Sequence, residues 1–172
     1  MRRFFCYLVL ILVMFFLQNN IFAASSLVVT VPNLLLILTF SFGFIRGSTE
    51  GMPIGFVCGL LNDVFFSETL GLSAMVYTVL GYSMGLLGRI YYTEFVSMPI
   101  VLCVISDLLY HLGTFVLAFA LRGQLRFDVY FRDIVLPELL YTAVLTLLLY
   151  PLFGRINGWI ESWEKRRTKS FV

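Results

Sequence analysis

Residues 32–89 read PNLLLILTFSFGFIRGSTEGMPIGFVCGLLNDVFFSETLGLSAMVYTVLGYSMGLLGR, and this stretch decides the fold. Its glycines recur at intervals of four residues, which places them on one stripe of an α-helix. In a lipid bilayer, stripes of small residues let helix backbones approach closely and pack. The glycines are therefore candidates for helix packing or partner binding. They are Gly43, Gly47, Gly51, Gly55 and Gly59, followed by Gly81 and Gly85.

The composition of the whole chain indicates a membrane protein. Of its 172 residues, 60% are apolar and only 13% are charged, whereas a soluble domain has about 45–50% apolar and about 25% charged residues. We therefore predict an all-α, polytopic integral membrane protein with about six transmembrane helices and no separate soluble domain. Membrane lipid is the expected surrounding, and nucleic acid is not an expected partner.

The apolar runs predict the positions of the spans and of a terminal tail. The first run follows Arg2 and Arg3 and resembles a secretory signal, but its length favours an uncleaved span. Residues 154–172 form a predicted basic amphipathic tail, which lies on the inner leaflet with Trp159 and Trp163 at headgroup depth. The tail is either a membrane anchor or a docking surface for a cytoplasmic partner. The predicted spans are residues 4–23, 27–45, 49–66, 70–88, 96–121 and 134–153.

The distribution of basic residues predicts the orientation. If the N-terminus is cytoplasmic, six spans place nine lysines and arginines inside and three outside, which follows the positive-inside bias. We therefore predict that both termini lie in the cytoplasm. The inside residues are Arg2, Arg3, Arg46, Arg89, Arg155, Lys165, Arg166, Arg167 and Lys169, and the outside residues are Arg122, Arg126 and Arg132.

Three ionisable residues fall within the last two predicted spans. Asp107 and His111 are four residues apart and so face the same way on a helix. Ionisable groups in spans are costly and usually face other helices or a cavity. We interpret the two as a buried hydrogen-bonded pair that fixes helix packing, with a proton or ion relay as the alternative. Glu138, on the outer side, could pair with His111, pair with an outer-loop arginine, or face water.

Two further charged residues border the glycine stripe. Arg46 lies at the predicted inner turn between spans two and three, where it can act as a topology anchor. Asp63 closes span three at the outer side, where the simplest interpretation is a solvated helix end. Both residues are also candidates for packing or partner binding.

The sequence contains no catalytic constellation. It has no Walker-type, HExxH or dinucleotide-binding pattern, each of which is the signature of a particular chemistry. Residues 81–85 match GxSxG in spacing but lie inside a predicted span, without the strand-to-helix turn on which that motif depends. A single histidine and three widely separated cysteines argue against a zinc site. We therefore predict a protein that is not an enzyme, with no catalytic, cofactor-binding or metal-binding residues and no cofactor.

The order of motifs in residues 32–89 resembles the rod shape-determining protein MreD family. The pattern is a Pro-Asx-Leu start to a span, an Arg-Gly turn, glycines four apart leading to a Gly-Leu-x-x-Asp step, and a Leu-Gly pair before a second glycine-rich span. Here these features fall at Pro32-Asn33-Leu34, Arg46-Gly47, Gly51, Gly55, Gly59-Leu60, Asp63, Leu70-Gly71 and Gly81.

The resemblance implies a non-enzymatic scaffold of the bacterial elongation complex, in the cytoplasmic membrane, that supports cell shape and lateral peptidoglycan synthesis. Its implied direct partner is an MreC-like single-span protein. An MreB-like filament, a RodA-like glycosyltransferase and a penicillin-binding transpeptidase are implied as indirect partners. The family's helical plan is similar to the S-components of energy-coupling-factor transporters, so a vitamin-binding S-component is the alternative function. The first span lacks the Ala-x-x-x-Ala stripe that such a component uses for docking.

Overall fold

A computed structural model of the chain describes residues 2–22, 32–66, 70–90, 97–122 and 131–168. No strand occurs in these ranges, which confirms the all-α prediction. Two π-helical turns, Gln18–Phe22 and Phe131–Val135, follow the first helix and precede the last. The six α-helices are α1 (Arg2–Leu17), α2 (Leu34–Arg46), α3 (Ser48–Phe66), α4 (Leu72–Ile90), α5 (Ser97–Arg122) and α6 (Leu136–Thr168).

The helices follow the six predicted spans, with two differences at their ends. Helix α2 begins at Leu34, and residues 27–31 of the predicted second span lie outside the described residues. Helix α6 runs without a break from Leu136 to Thr168, so the described part of the predicted tail continues the sixth span. Pro151 lies inside this helix without ending it, and the change from apolar to basic residues near residue 154 alters only the surface of the helix.

Among the described residues, two helices have the length and composition needed to cross a membrane, within Pro99–Val116 and Leu136–Ser162. The apolar parts of the first two helices, Phe5–Asn20 and Leu34–Arg46, are shorter. Helix α2 has 13 residues and is about 20 Å long, against about 30 Å for the hydrocarbon core of a bilayer. The six-span topology with both ends inside therefore stays a prediction.

Helix α2 is the centre of the bundle. Each of its residues from Leu34 to Phe44 is buried, and it contacts all five other α-helices. Its sequence, LLLILTFSFGFIR, is apolar around almost the whole circumference, which is typical of a helix enclosed by others. Helices α3 and α4 instead turn bulky apolar side chains outward, among them Phe56, Val64 and Met75.

Candidate functional site

The glycine stripe brings the backbones of α2, α3 and α4 into contact. A Cβ atom added at Gly43 would lie 2.8 Å from the carbonyl oxygen of Gly81. One added at Gly51 would lie 2.6 Å from the Cα of Gly43 and 2.6 Å from the Gly81 oxygen. These separations are shorter than any real Cβ contact, so only glycine fits at the crossing. The three helices form one closely packed unit.

The remaining stripe glycines also face inward. Gly55 lies against the backbone of Tyr77. A Cβ at Gly59 would lie 2.5 Å from the Cα of Ala74, and Gly85 lies against the first residues of α3. The stripe is therefore used for packing within the chain rather than exposed for a partner.

Gly47 has a different role, as the single residue between α2 and α3. Its φ is +92°, in the left-handed region that glycine adopts without steric cost. Its N–H donates to the Gly43 carbonyl oxygen at 2.8 Å, and its own carbonyl oxygen accepts from the Gly51 N–H at 3.0 Å. This conformation reverses the chain and lays α3 back along α2.

Asp63 is the N-terminal cap of α4. Its side chain is fully buried. Its Oδ1 accepts the N–H of Ser73 at 3.0 Å, and its Oδ2 accepts those of Gly71 at 3.0 Å and Ala74 at 2.9 Å. The solvated helix end considered from the sequence is therefore wrong. The close approach of α3 and α4 at Gly59 brings the carboxylate to the unpaired amides and the positive dipole of a helix start.

A polar cluster at the α2–α3 turn links four helices, and we call Tyr7, Arg46, Glu50 and Asn157 the turn cluster. Arg46 forms an ion pair with Glu50, with 3.6 Å between Nη1 and Oε1. Its Nε donates to Oδ1 of Asn157 on α6. The Tyr7 hydroxyl donates to Oε2 of Glu50 at 2.5 Å. Arg46, predicted as a topology anchor, thus has partners within the chain.

A buried polar ladder joins α5 to α6. On each helix its side chains are four residues apart, and because the two helices are consecutive and antiparallel, the side chains meet in reverse order. Nε2 of His111 lies 3.2 Å from Oε2 of Glu138, and the Thr146 hydroxyl contacts Sγ of Cys103 at 3.2 Å. The polar ladder comprises Cys103, Asp107 and His111 on α5 and Glu138, Thr142 and Thr146 on α6, all of them buried.

The polar ladder shows one of the partners considered for Glu138. This residue is buried and pairs with His111, and the side chains of Arg122 and Arg126 lie outside the described residues. The predicted contact between Asp107 and His111 is longer, at 3.8 Å from Oδ1 to Nε2, beyond hydrogen-bonding distance.

The sequence of the chain was compared with known protein families. A family model described as rod shape-determining protein MreD matches residues 1–156. The chain belongs to the MreD family. This confirms the resemblance seen in residues 32–89 and extends it over α1, α5 and most of α6. No curated protein and no solved structure matches the chain significantly.

MreD proteins are membrane proteins with a structural, shape-determining role. In this MreD chain, Asn33 and Asp63, which carried part of the resemblance, cap helices. Asn33 caps α2, because its Oδ1 accepts the Leu36 N–H at 3.2 Å and also the Tyr77 hydroxyl at 2.6 Å. Asp63 caps α4 in the same way.

The last turns of α6 pack partly against the MreD bundle. Ile160 and Asn157 are buried, whereas Trp159 is 54% exposed. An exposed tryptophan at the end of a span is typical of the membrane–water interface. The side chain of Trp163 and those of the basic residues near the end of α6 lie outside the described residues.

Replacing Asn157 with alanine is expected to destabilise the bundle by about 2 kcal/mol, since a hydrogen bond from a charged donor contributes about 1.5–3 kcal/mol. Thermal unfolding of the purified protein in detergent measures this. Asn20→Ala is the matched control, because the Asn20 side chain is exposed and, among the described residues, bonds to the Phe16 carbonyl oxygen one turn earlier in the chain. Equal melting temperatures for the two variants would contradict a role for the turn cluster in stability.

Proposed function

We propose that this MreD protein is a non-enzymatic scaffold subunit of the bacterial rod elongation complex. In the cytoplasmic membrane it binds an MreC-like single-span protein and so supports cell shape and lateral peptidoglycan synthesis. Through that partner it is linked indirectly to an MreB-like filament, a RodA-like glycosyltransferase and a penicillin-binding transpeptidase. The observation that carries the proposal is the family match over residues 1–156.

The packing of the bundle supports a scaffold. Because the glycines bring the backbones of α2, α3 and α4 together, these helices can keep one shape while a partner binds. The outward faces of α3 and α4 carry large apolar side chains, including Phe56 at 49% and Val79 at 54% exposure. Such surfaces suit lipid or another transmembrane helix.

A groove between α1 and α3 is the place that we assign to the partner's helix. Its cavity is about 230 Å³ and is lined mainly by apolar side chains, among them Ile11, Pro53 and Val57. Glu50 and Tyr7 lie at its walls and are already bonded to each other. Interhelical hydrogen bonds in one measured membrane protein average about 0.6 kcal/mol, so a long apolar contact is needed for stable binding.

Co-production with an MreC-like protein tests the function. We expect the two proteins to purify together from detergent and the chain to restore rod shape in a bacterium that lacks its own MreD. A chain that restores shape and retains the partner supports the proposal. Failure of both contradicts it, and tight capture of a vitamin by the purified chain would favour the transporter alternative.

Site-specific photo-crosslinking tests the groove separately. A photoreactive amino acid at Val57, which lines the groove, is expected to crosslink the MreC-like partner. The same amino acid at Val144 on α6, which is 64% exposed, is the matched control and is expected to give little crosslink. If the proteins purify together but position 57 does not crosslink, the assignment of the partner's helix to this groove is contradicted, whereas the proposed scaffold function is not.

A further inference from the structure

The polar ladder contains more acidic than basic groups. Asp107, His111 and Glu138 are all buried between α5 and α6, and one imidazolium balances only one of the two carboxylates. An uncompensated charge inside a membrane protein is strongly unfavourable. A second proton at this place removes the imbalance, as does a divalent cation held by the neutral imidazole and both carboxylates.

Asp107 and Thr142 of the polar ladder carry side-chain oxygens that have no hydrogen-bond partner among the described residues. Asp107 is fully buried, yet neither of its carboxylate oxygens accepts a hydrogen bond from the described residues. The hydroxyl of Thr142 lies next to it, is also fully buried, and makes no hydrogen bond of ordinary geometry within the same residues. Buried polar atoms are nearly always paired, so these oxygens indicate a missing ligand.

The spacing of the donors is close to that of a metal site. Nε2 of His111 lies 3.2 Å from Glu138 Oε2 and 3.8 Å from Asp107 Oδ1. One ligand atom from each of the three residues lies within 4.8 Å of the others. Tetrahedral zinc, with bonds of about 2.0–2.1 Å, separates its ligand atoms by about 3.3 Å. The two histidine distances lie within about 0.5 Å of this value, and the two carboxylate oxygens, which are within 4.8 Å of each other, approach by up to about 1.5 Å when the ion binds.

We propose that Asp107, His111 and Glu138 bind one divalent transition-metal ion, of which Zn²⁺ is the representative, between α5 and α6. An imidazole nitrogen with two carboxylate oxygens suits zinc, whereas magnesium and calcium prefer oxygen ligands alone. The Thr142 hydroxyl on α6 lies next to Asp107 and can hold its carboxylate in place by a hydrogen bond. The ion binds the neutral imidazole of His111, ties α5 to α6, and balances both carboxylates with its two positive charges.

One histidine and no nearby cysteine pair speak against a zinc site when only residues close in sequence are compared. Glu138 is 27 residues after His111, and only the pairing of the two helices brings the third ligand into place.

Metal binding by the whole chain tests the proposal. The protein is purified in detergent with a tag that lacks histidine, stripped with a chelator, and titrated with ZnCl₂ at pH 7.5. We expect one Zn²⁺ per chain at micromolar or tighter affinity, and a higher melting temperature when Zn²⁺ is bound. Co²⁺ is expected to bind at the same site and give the absorption spectrum of a tetrahedral ion.

Variants assign the site. His111→Gln and Asp107→Asn are each expected to weaken Zn²⁺ binding by about 100-fold. Ser106→Ala is the matched control, since Ser106 is buried on the same helix but bonds to the Leu102 carbonyl oxygen, and it is expected to bind as the unaltered chain does. Because a ligand variant can fail to fold, the unaltered chain gives the decisive result. Absence of stoichiometric binding there overturns the proposal and leaves a proton as the balancing charge, as does unchanged affinity in a folded His111→Gln protein.

Discussion

Gly55→Ala is expected to destabilise the protein by about 3 kcal/mol, and Gly55→Leu to prevent folding. A Cβ at this position would lie 2.9 Å from the carbonyl carbon of Tyr77 and 3.0 Å from the Cγ2 of Thr39. The obstacle is partly the backbone of α4, which can move only if α3 and α4 separate. Overpacking of this kind typically costs about 1–3 kcal/mol, and occasionally more.

The matched control, Gly158→Ala, is not expected to destabilise the protein. Gly158 lies in α6, and a Cβ there meets nothing within 4 Å. Because alanine favours a helix over glycine by up to about 1 kcal/mol, Gly158→Ala is expected to leave stability unchanged or raise it slightly. Thermal unfolding in detergent and the yield of monodisperse protein compare the two. Equal stability of the Gly55→Ala and Gly158→Ala proteins would contradict the close approach of α3 and α4 at Gly55.

The same pair of variants connects packing to the proposed function. Because the proposed partner groove is built on α3, Gly55→Leu is expected to lose both the MreC-like partner and the restoration of rod shape when its helices fail to pack. Gly158→Ala is expected to retain both. Normal partner binding by Gly55→Leu would show that the glycine contacts are not needed for the scaffold.

Asp63→Ala is the second substitution for which we expect a large effect, a loss of about 3 kcal/mol or more. The carboxylate accepts three backbone N–H groups at the start of α4 and is fully buried. Each buried donor left without a partner costs about 1–3 kcal/mol. Asp63→Asn is expected to be intermediate, because its single carbonyl oxygen can keep at most the two bonds now made by Oδ2.

The neighbouring residue provides the control for Asp63. The Asn62 side chain contacts the hydroxyls of Ser73 and Tyr110, each at 3.4 Å, which is long for a hydrogen bond. Asn62→Ala is therefore expected to cost less than about 1 kcal/mol. Thermal unfolding with circular dichroism is expected to rank the variants, from least to most stable, as Asp63→Ala, Asp63→Asn and Asn62→Ala. An Asp63→Ala protein no less stable than Asn62→Ala would contradict a stabilising role for the Asp63 cap.

Much of the architecture was predictable from the sequence because it depends on local properties. The four-residue spacing of Gly51, Gly55 and Gly59 indicated a helix that packs closely, and the structure places all three against neighbouring backbones. The apolar runs located the six helices, and the order of motifs identified the family.

The polar contacts were harder to predict because their partners are far apart in the chain. Arg46 bonds to Asn157, which is 111 residues away, and the acceptor for Tyr7 is Glu50, 43 residues away. For α6, the spacing of Glu138, Thr142 and Thr146 matches that of Cys103, Asp107 and His111. That match was a signal in the sequence, although it did not say that the two rows face each other.

The sequence by itself determined that this chain is helical, rich in apolar residues and built on a glycine stripe, because periodicity and composition act over a few turns of one helix. Only the tertiary structure decided that the stripe faces inward, that Asp63 caps the next helix, and that His111 meets Glu138. These outcomes depend on which faces of different helices meet, and that choice minimises the free energy of the whole bundle rather than of any single segment.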